Sequence, residues 1–256
     1  MSGTAEHKLK LALLLAKDVT AAVTTIHEAK HPQSLDSTYE VVHRDLKPEN
    51  VFIDLVTTAG HPTKIIDFGA ANAEGARNPL TEQLTFRTMT RNYASPEQLR
   101  GNPTQGQASD VYSLGCILYE MITGRQIQSD YRARNRSLAQ TNMGGRLFDP
   151  VLGDLETAFE HDRAVQELLS DLDDEMRGNQ IPSHIRVNTI RILAQALLFK
   201  PHKRANTTQV ERFIVTAISE ISSPASLREI NQVLAVVPGG IDAVSYTHLT
   251  LPTSPK

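Results

Sequence analysis

Between His43 and Asn50 the chain reads HRDLKPEN, and IIDFG follows at residues 65–69. The first motif sets a carboxylate (Asp45), an ammonium (Lys47) and a carboxamide (Asn50) within six residues, and the second adds Asp67 at the end of a short apolar run. This set suits phosphoryl transfer from ATP. One carboxylate orients the attacking hydroxyl, a cation balances the charge on the moving phosphoryl group, and oxygen ligands hold Mg2+ on the phosphates. Mg2+ takes one or two carboxylates together with amide oxygens, water and phosphate, and Asn50 and Asp67 are of those types. HEAKH at residues 27–31 competes, because two His one helical turn apart with an adjacent Glu is the zinc-peptidase pattern. Pro32 follows at once, where the helix must end, and no HxxGxxH continuation appears. A zinc peptidase therefore stands as the remote alternative.

The elements that must position these residues can be read from periodicity. Residues 8–30 carry apolar side chains at helical spacing and predict an amphipathic helix. HPQSLDST then reads as a loop. VFIDL and TKIIDF are short β-rich runs joined by VTTAGHP, which predicts a hairpin. Residues 69–92 are Thr-rich and aperiodic and read as a long loop. DVYSLGCILYEMIT at 110–123 is apolar around much of its circumference, so it predicts a central buried helix stopped by Gly124. Residues 125–183 are polar, with acidic helical stretches such as LETAFEHDRAVQELLSDLDDEM. HIRVNTIRILAQALLF and TTQVERFIVTAISEI predict two further helices around the turn KPHKRAN. The expected fold is mainly α, with one small β-hairpin.

Composition narrows the class. The formal charge of −3 argues against a nucleic-acid partner. No apolar run is long enough to span a membrane. The single cysteine, Cys116, excludes an internal disulfide, suits a cytoplasmic location, and falls on the predicted central helix as a core residue.

Taken together, these motifs resemble the eukaryotic-type protein kinases, with wording most similar to bacterial serine/threonine kinases. HRDLKPEN is similar to the catalytic loop (43–50), and DFG opens a segment similar to the activation segment (67–97). SPE at Ser95–Glu97 resembles the motif that closes this segment, SDVYSLG the start of the central helix, and KPHKRAN the turn that supplies an Arg to pair with Glu97, here Arg204. The resemblance implies the large, mainly α lobe of the kinase fold, with its hairpin carrying the catalytic and magnesium loops.

It also implies roles. Asp45 would take or orient the hydroxyl proton, and Lys47 would neutralise the γ-phosphate. Asn50 and Asp67 would hold Mg2+, and Phe52 would touch the adenine from a strand shared with Val51 and Ile53. His43 and Phe68 would stack in a hydrophobic column tethered by Asp110, and Thr90 would touch both Asp45 and Lys47. The Gly usual before that Thr is Met89 here, a departure from the pattern. Arg44 implies control by a phosphothreonine, placed by an activating kinase or by self-phosphorylation; Thr81, Thr85 and Thr88 all remain candidates. The implied cofactors are ATP and Mg2+, and the implied partner is a protein carrying Ser or Thr.

The front of the kinase pattern is missing. The 256 residues contain no GxGxxG and no VAIK-like strand. Because the large-lobe residues are all present, a truncated kinase is expected more than a pseudokinase, and the chain alone is expected to be weak or inactive. A catalytically silent interaction module is the alternative. Residues 1–221 are assigned to the kinase lobe and 222–243 to an extension. Residues 244–256 are set aside, since Val244–Thr253 resembles a translated sequencing-library adapter. On this expectation a longer parent could carry a membrane anchor further along.

Overall fold

The structure is a computed structural model that describes residues 2–29, 41–53, 63–68, 72–73, 90–100, 106–134 and 154–220. Helix α1 (Ser2–Glu28) is followed by strand β1 (Val41–Val42), a 3-10 turn (Pro48–Asn50), and strands β2 (Val51–Ile53), β3 (Thr63–Ile65) and β4 (Asn72–Ala73). Helices α2 (Pro96–Leu99), α3 (Gln107–Thr123), α4 (Ile127–Arg134), α5 (Asp154–Gly178), α6 (Ser183–Ala196) and α7 (Thr207–Glu220) complete the order, with a 3-10 turn at Pro201–Lys203.

The predicted hairpin is present: β2 and β3 pair antiparallel with Val51 opposite Ile65 and Ile53 opposite Thr63. A second two-stranded pair, Val41 with Ala73 and Val42 with Asn72, lies partly in the stretch read as loop. Two paired residues are too few to show a period-2 pattern, so the sequence carried no strand signal there. Helix α1 begins six residues earlier than its apolar periodicity, because GTAEH is helix-compatible without being amphipathic. Helix α4 was not anticipated, and its residues are too polar to mark a buried face. The three Thr candidates of the activation segment and residues 222–256 lie outside the described residues.

Every position from Ser109 to Tyr119 on α3 is buried, so this helix runs through the centre of the fold. It ends as expected, with Gly124 in the left-handed region (φ 69°) and its N–H bonded to the Glu120 carbonyl. Helices α1 and α6 pack on it and α5 packs on α6 within one continuous apolar core, and α7 closes the layer against α1 and α6. Buried hydroxyls do not interrupt that core. Thr20, Thr123 and Thr189 each donate to the carbonyl four residues earlier, at 2.7, 2.8 and 2.9 Å.

Helices α3 and α6 meet at Gly115. A Cβ there would fall 2.9 Å from both the Ala196 Cβ and the Leu197 Cδ2. The Ala196 methyl group cannot swing aside, so Gly115→Ala is expected to cost about 1–3 kcal/mol through overpacking. Urea unfolding of the variant measures this, and an unchanged midpoint would show that the helices separate freely.

His161 of α5 is 1% exposed. Its Nε2 lies 3.1 Å from the Tyr112 hydroxyl and its Nδ1 3.1 Å from Asp162 Oδ1, while the ring meets Phe199 edge-on. Burial pushes the imidazole below its ordinary value of 6.5, and the nearby Arg204 charge adds to this, against an upward pull from Asp162. Below the ordinary value the unfolded chain therefore binds a proton that the fold resists. The His161 contribution to stability is present above about pH 6.5 and is lost as pH falls through the lower folded value. Urea midpoints measured from about pH 8 to 5 should fall more steeply for the native chain than for His161→Gln.

Candidate active site

The HRDLKPEN motif is held by the central helix. Asp110, fully buried on α3, accepts the His43 N–H at Oδ2 (2.8 Å) and the Arg44 N–H at Oδ1 (2.9 Å). His27 at the end of α1 brings its Nε2 to the same Oδ2 at 2.8 Å. His27 is thus turned onto Asp110, while His31, the other histidine of HEAKH, lies outside the described residues. These bonds hold Arg44 with its backbone left-handed (φ 71°), a conformation that costs a non-glycine residue about 1–3 kcal/mol and recurs at functional sites.

Asp45, next in the chain, is 9% exposed and its two carboxylate oxygens point to different partners. Oδ1 accepts the Thr90 N–H at 2.9 Å and Oδ2 accepts from Lys47 Nζ at 2.8 Å. Lys47 Nζ also donates to Thr90 Oγ1 at 2.9 Å. Asp45, Lys47 and Thr90 therefore form one closed cluster across a sequence gap of more than forty residues.

Asn50 is buried, and its Nδ2 donates to the Asp45 carbonyl at 2.8 Å. That bond fixes the carboxamide and leaves Oδ1 as its acceptor end. The Ile66 N–H donates to the Asn50 carbonyl at 3.0 Å, which extends the β2–β3 pairing and sets Asp67 beside Asn50. Asp67 is exposed and left-handed (φ 63°), the second strained residue of the site. An amide oxygen and an exposed carboxylate on adjoining strand ends fit the donor set of Mg2+. Phe52 is half-buried on β2 between the buried Val51 and Ile53. His43 Nε2 meets the Ile66 carbonyl at 3.0 Å, and the His43 and Phe68 rings lie 4.9 Å apart. Ile66 and Phe68 keep 42% and 45% of their surface exposed, an apolar face beside Asp67.

The far end of the segment is pinned from below. Glu97 on α2 is 5% exposed and takes a two-pronged bond from Arg204, at 2.5 Å to Oε1 and 2.8 Å to Oε2. Burial alone would raise the Glu97 carboxyl, but the Arg204 bonds and charge, helped by the Ser109 hydroxyl, hold it below the usual carboxylate range. Sequence reasoning missed Gln98, Tyr93 and Glu120. Tyr93 donates its hydroxyl to Glu120 Oε2 at 2.5 Å, and burial with the charge of Glu49 raises the Glu120 carboxyl. Tyr93 and Gln98 flank SPE and Glu120 lies in the central-helix run, but nothing in either stretch names their partners, so only the contacts reveal them.

This arrangement places a carboxylate, an ammonium and a pair of metal-type oxygen ligands on one face of a helical lobe. The protein kinase domain family model matches residues 5–213, and the chain belongs to that family. Among curated proteins it is similar to the probable serine/threonine-protein kinase CE0033 of Corynebacterium efficiens, 43% identical over 94 residues, which is 36% of this chain and 14% of that protein. It is also similar to serine/threonine-protein kinase PknB of Mycobacterium tuberculosis, 38% identical over 103 residues, 40% of this chain and 16% of the relative. PknB of Mycobacterium leprae is 43% identical over 84 residues, 33% of this chain and 12% of its own length. The matched stretch thus spans no more than 16% of these relatives. Among the described residues no helix is long and apolar enough to cross a membrane.

Proposed function

We propose that this lobe serves ATP-dependent phosphorylation of Ser or Thr in a protein substrate. The observation that carries the reading is the Asp45 carboxylate, divided between the Thr90 amide and Lys47 and adjoined by Asn50 and Asp67. Asp45 is held in place by Thr90 and accepts the proton of the substrate hydroxyl. Lys47, tethered to both Asp45 and Thr90, balances charge on the phosphoryl group as it moves. Asn50 and Asp67 would hold Mg2+, which would neutralise charge on the phosphate oxygens. Phe52 supplies an apolar contact for the adenine.

We assign residues 1–221 to this lobe and place the protein in the cytoplasm, where its single cysteine stays reduced. Arg44 beside Asp45 makes phosphorylation of Thr81, Thr85 or Thr88 the proposed control, because a phosphate offers acceptor oxygens to a guanidinium. With no glycine-rich loop or VAIK-like strand in the sequence, the chain by itself should transfer phosphate slowly. The test is incubation of the purified chain, and of longer polypeptides containing it, with Mg2+ and radiolabelled ATP, followed by analysis of the labelled amino acids. Label on Ser or Thr supports the reading. Absence of both nucleotide binding and transfer in every polypeptide overturns it in favour of a silent interaction module.

A further inference from the structure

The backbone N–H groups of His43 and Arg44 are gripped by Asp110, but that accounts for only one side of the left-handed Arg44. Its carbonyl, which belongs to the same peptide plane as the Asp45 N–H, points the other way. There it accepts from the Nε2 of Gln98 at 2.7 Å. Gln98 is 1% exposed and both ends of its carboxamide are engaged, since Oε1 accepts the Ser95 N–H at 2.9 Å and the Ser95 hydroxyl at 3.1 Å. A carboxamide donates at one end and accepts at the other without charge. We propose that Gln98 is a positioning residue, fixing the Arg44–Asp45 peptide plane so that the Asp45 carboxylate faces Thr90 and Lys47.

The placement of Gln98 supports this. Its neighbour Glu97 is tied to Arg204, so the short helix α2 is anchored to the helical floor through one residue and to the catalytic loop through the next. A side chain that served only to cap α2 would need only its acceptor end. At this third helical position a Glu caps as well as a Gln. What a Glu lacks at neutral pH is the donor that meets the Arg44 carbonyl.

That difference supplies the experiment. The inference rests on reading Asp45 as the catalytic carboxylate, but the measurement uses the nucleotide-free chain, so a failure of phosphotransfer leaves its outcome unaffected. Gln98→Glu keeps the cap and removes the donor, Gln98→Met removes both, and Ser95→Ala loosens the cap while leaving the donor in place. The readouts are the amide nitrogen resonance of Asp45, which senses bonding at the preceding carbonyl, and hydrogen exchange of the Thr90 amide. Gln98→Glu and Gln98→Met should both shift the Asp45 resonance and speed Thr90 exchange roughly ten-fold, the effect of losing one hydrogen bond's worth of local order. Ser95→Ala should leave both near the native values. An unmoved Asp45 resonance in Gln98→Glu, or an equal shift in Ser95→Ala, reduces Gln98 to a cap and overturns the proposal. If one Gln98 variant fails to fold, the other still decides the outcome against Ser95→Ala.

Discussion

Asp45→Asn is expected to lower Ser/Thr phosphotransfer by about 10²–10⁴-fold in any polypeptide carrying this lobe that shows activity, because it removes the proposed proton acceptor while leaving the proposed binding groups in place. The geometry makes this a clean substitution. An Asn oxygen can still accept the Thr90 amide, and Lys47 keeps its bond to Thr90 Oγ1. What is lost is the charged Lys47–Asp45 bond, so the fold should weaken by about 1.5–3 kcal/mol. The measurement is kcat and KM for ATP side by side, with urea unfolding as the control. A fall in kcat with KM for ATP nearly unchanged is the expected result. A kcat preserved in Asp45→Asn, with only KM for ATP raised, would remove Asp45 from the chemistry.

How far the sequence disclosed this site depends on how local each feature is. Asp45, Lys47 and Asn50 sit in one contiguous motif, and the 3-10 turn at Pro48–Asn50 folds them together, so spacing alone was sufficient. Asp67 was legible because an apolar run led into it. Asp110 and Arg204 were legible only through the family resemblance. Nothing in a run of residues says that the carboxylate of Asp110 will meet the backbone of His43, 67 positions earlier.

Gln98 and His27 were not legible at all. A glutamine after SPE looks like a surface residue, and its burial follows from where α2 lands, which depends on the distant Arg204. His27 was read as the first histidine of HEAKH. Its actual place, against Asp110, requires α1 and α3 to cross, a tertiary event with no local signature. The β1–β4 pair escaped for a different reason: two-residue strands are too short to show any alternation of their own.

The same dependence on distant packing makes Arg204 the position where a single change should be felt most strongly. Its side chain is completely buried and is fully bonded. Nε donates to the Leu198 carbonyl at 2.6 Å, Nη1 to Glu97 and to the Ala108 carbonyl at 3.0 Å, and Nη2 to Glu97 and to the Phe199 carbonyl at 2.8 Å. The guanidinium also lies 5.0 Å over the Tyr112 ring. Arg204→Met leaves a buried carboxylate and three carbonyls without their donor, and is expected to cost about 3–5 kcal/mol. Glu97→Leu should cost less, because the guanidinium keeps its three carbonyl partners. In the double variant no lone charge remains, so it should be more stable than Arg204→Met alone, yet still less stable than the native chain because the carbonyls stay unpaired. Arg204→Lys should recover little, since an ammonium cannot match the two-pronged carboxylate bond and the three carbonyls together. Because Glu97 is held below its ordinary value of 4.5, the pair's contribution is present above that pH and fades as pH falls through the folded value. Urea unfolding of the four variants at neutral pH gives the ranking. If Arg204→Met lies within about 1 kcal/mol of the native chain, the pair behaves like a surface bridge and cannot be what anchors α2 beneath the HRDLKPEN loop.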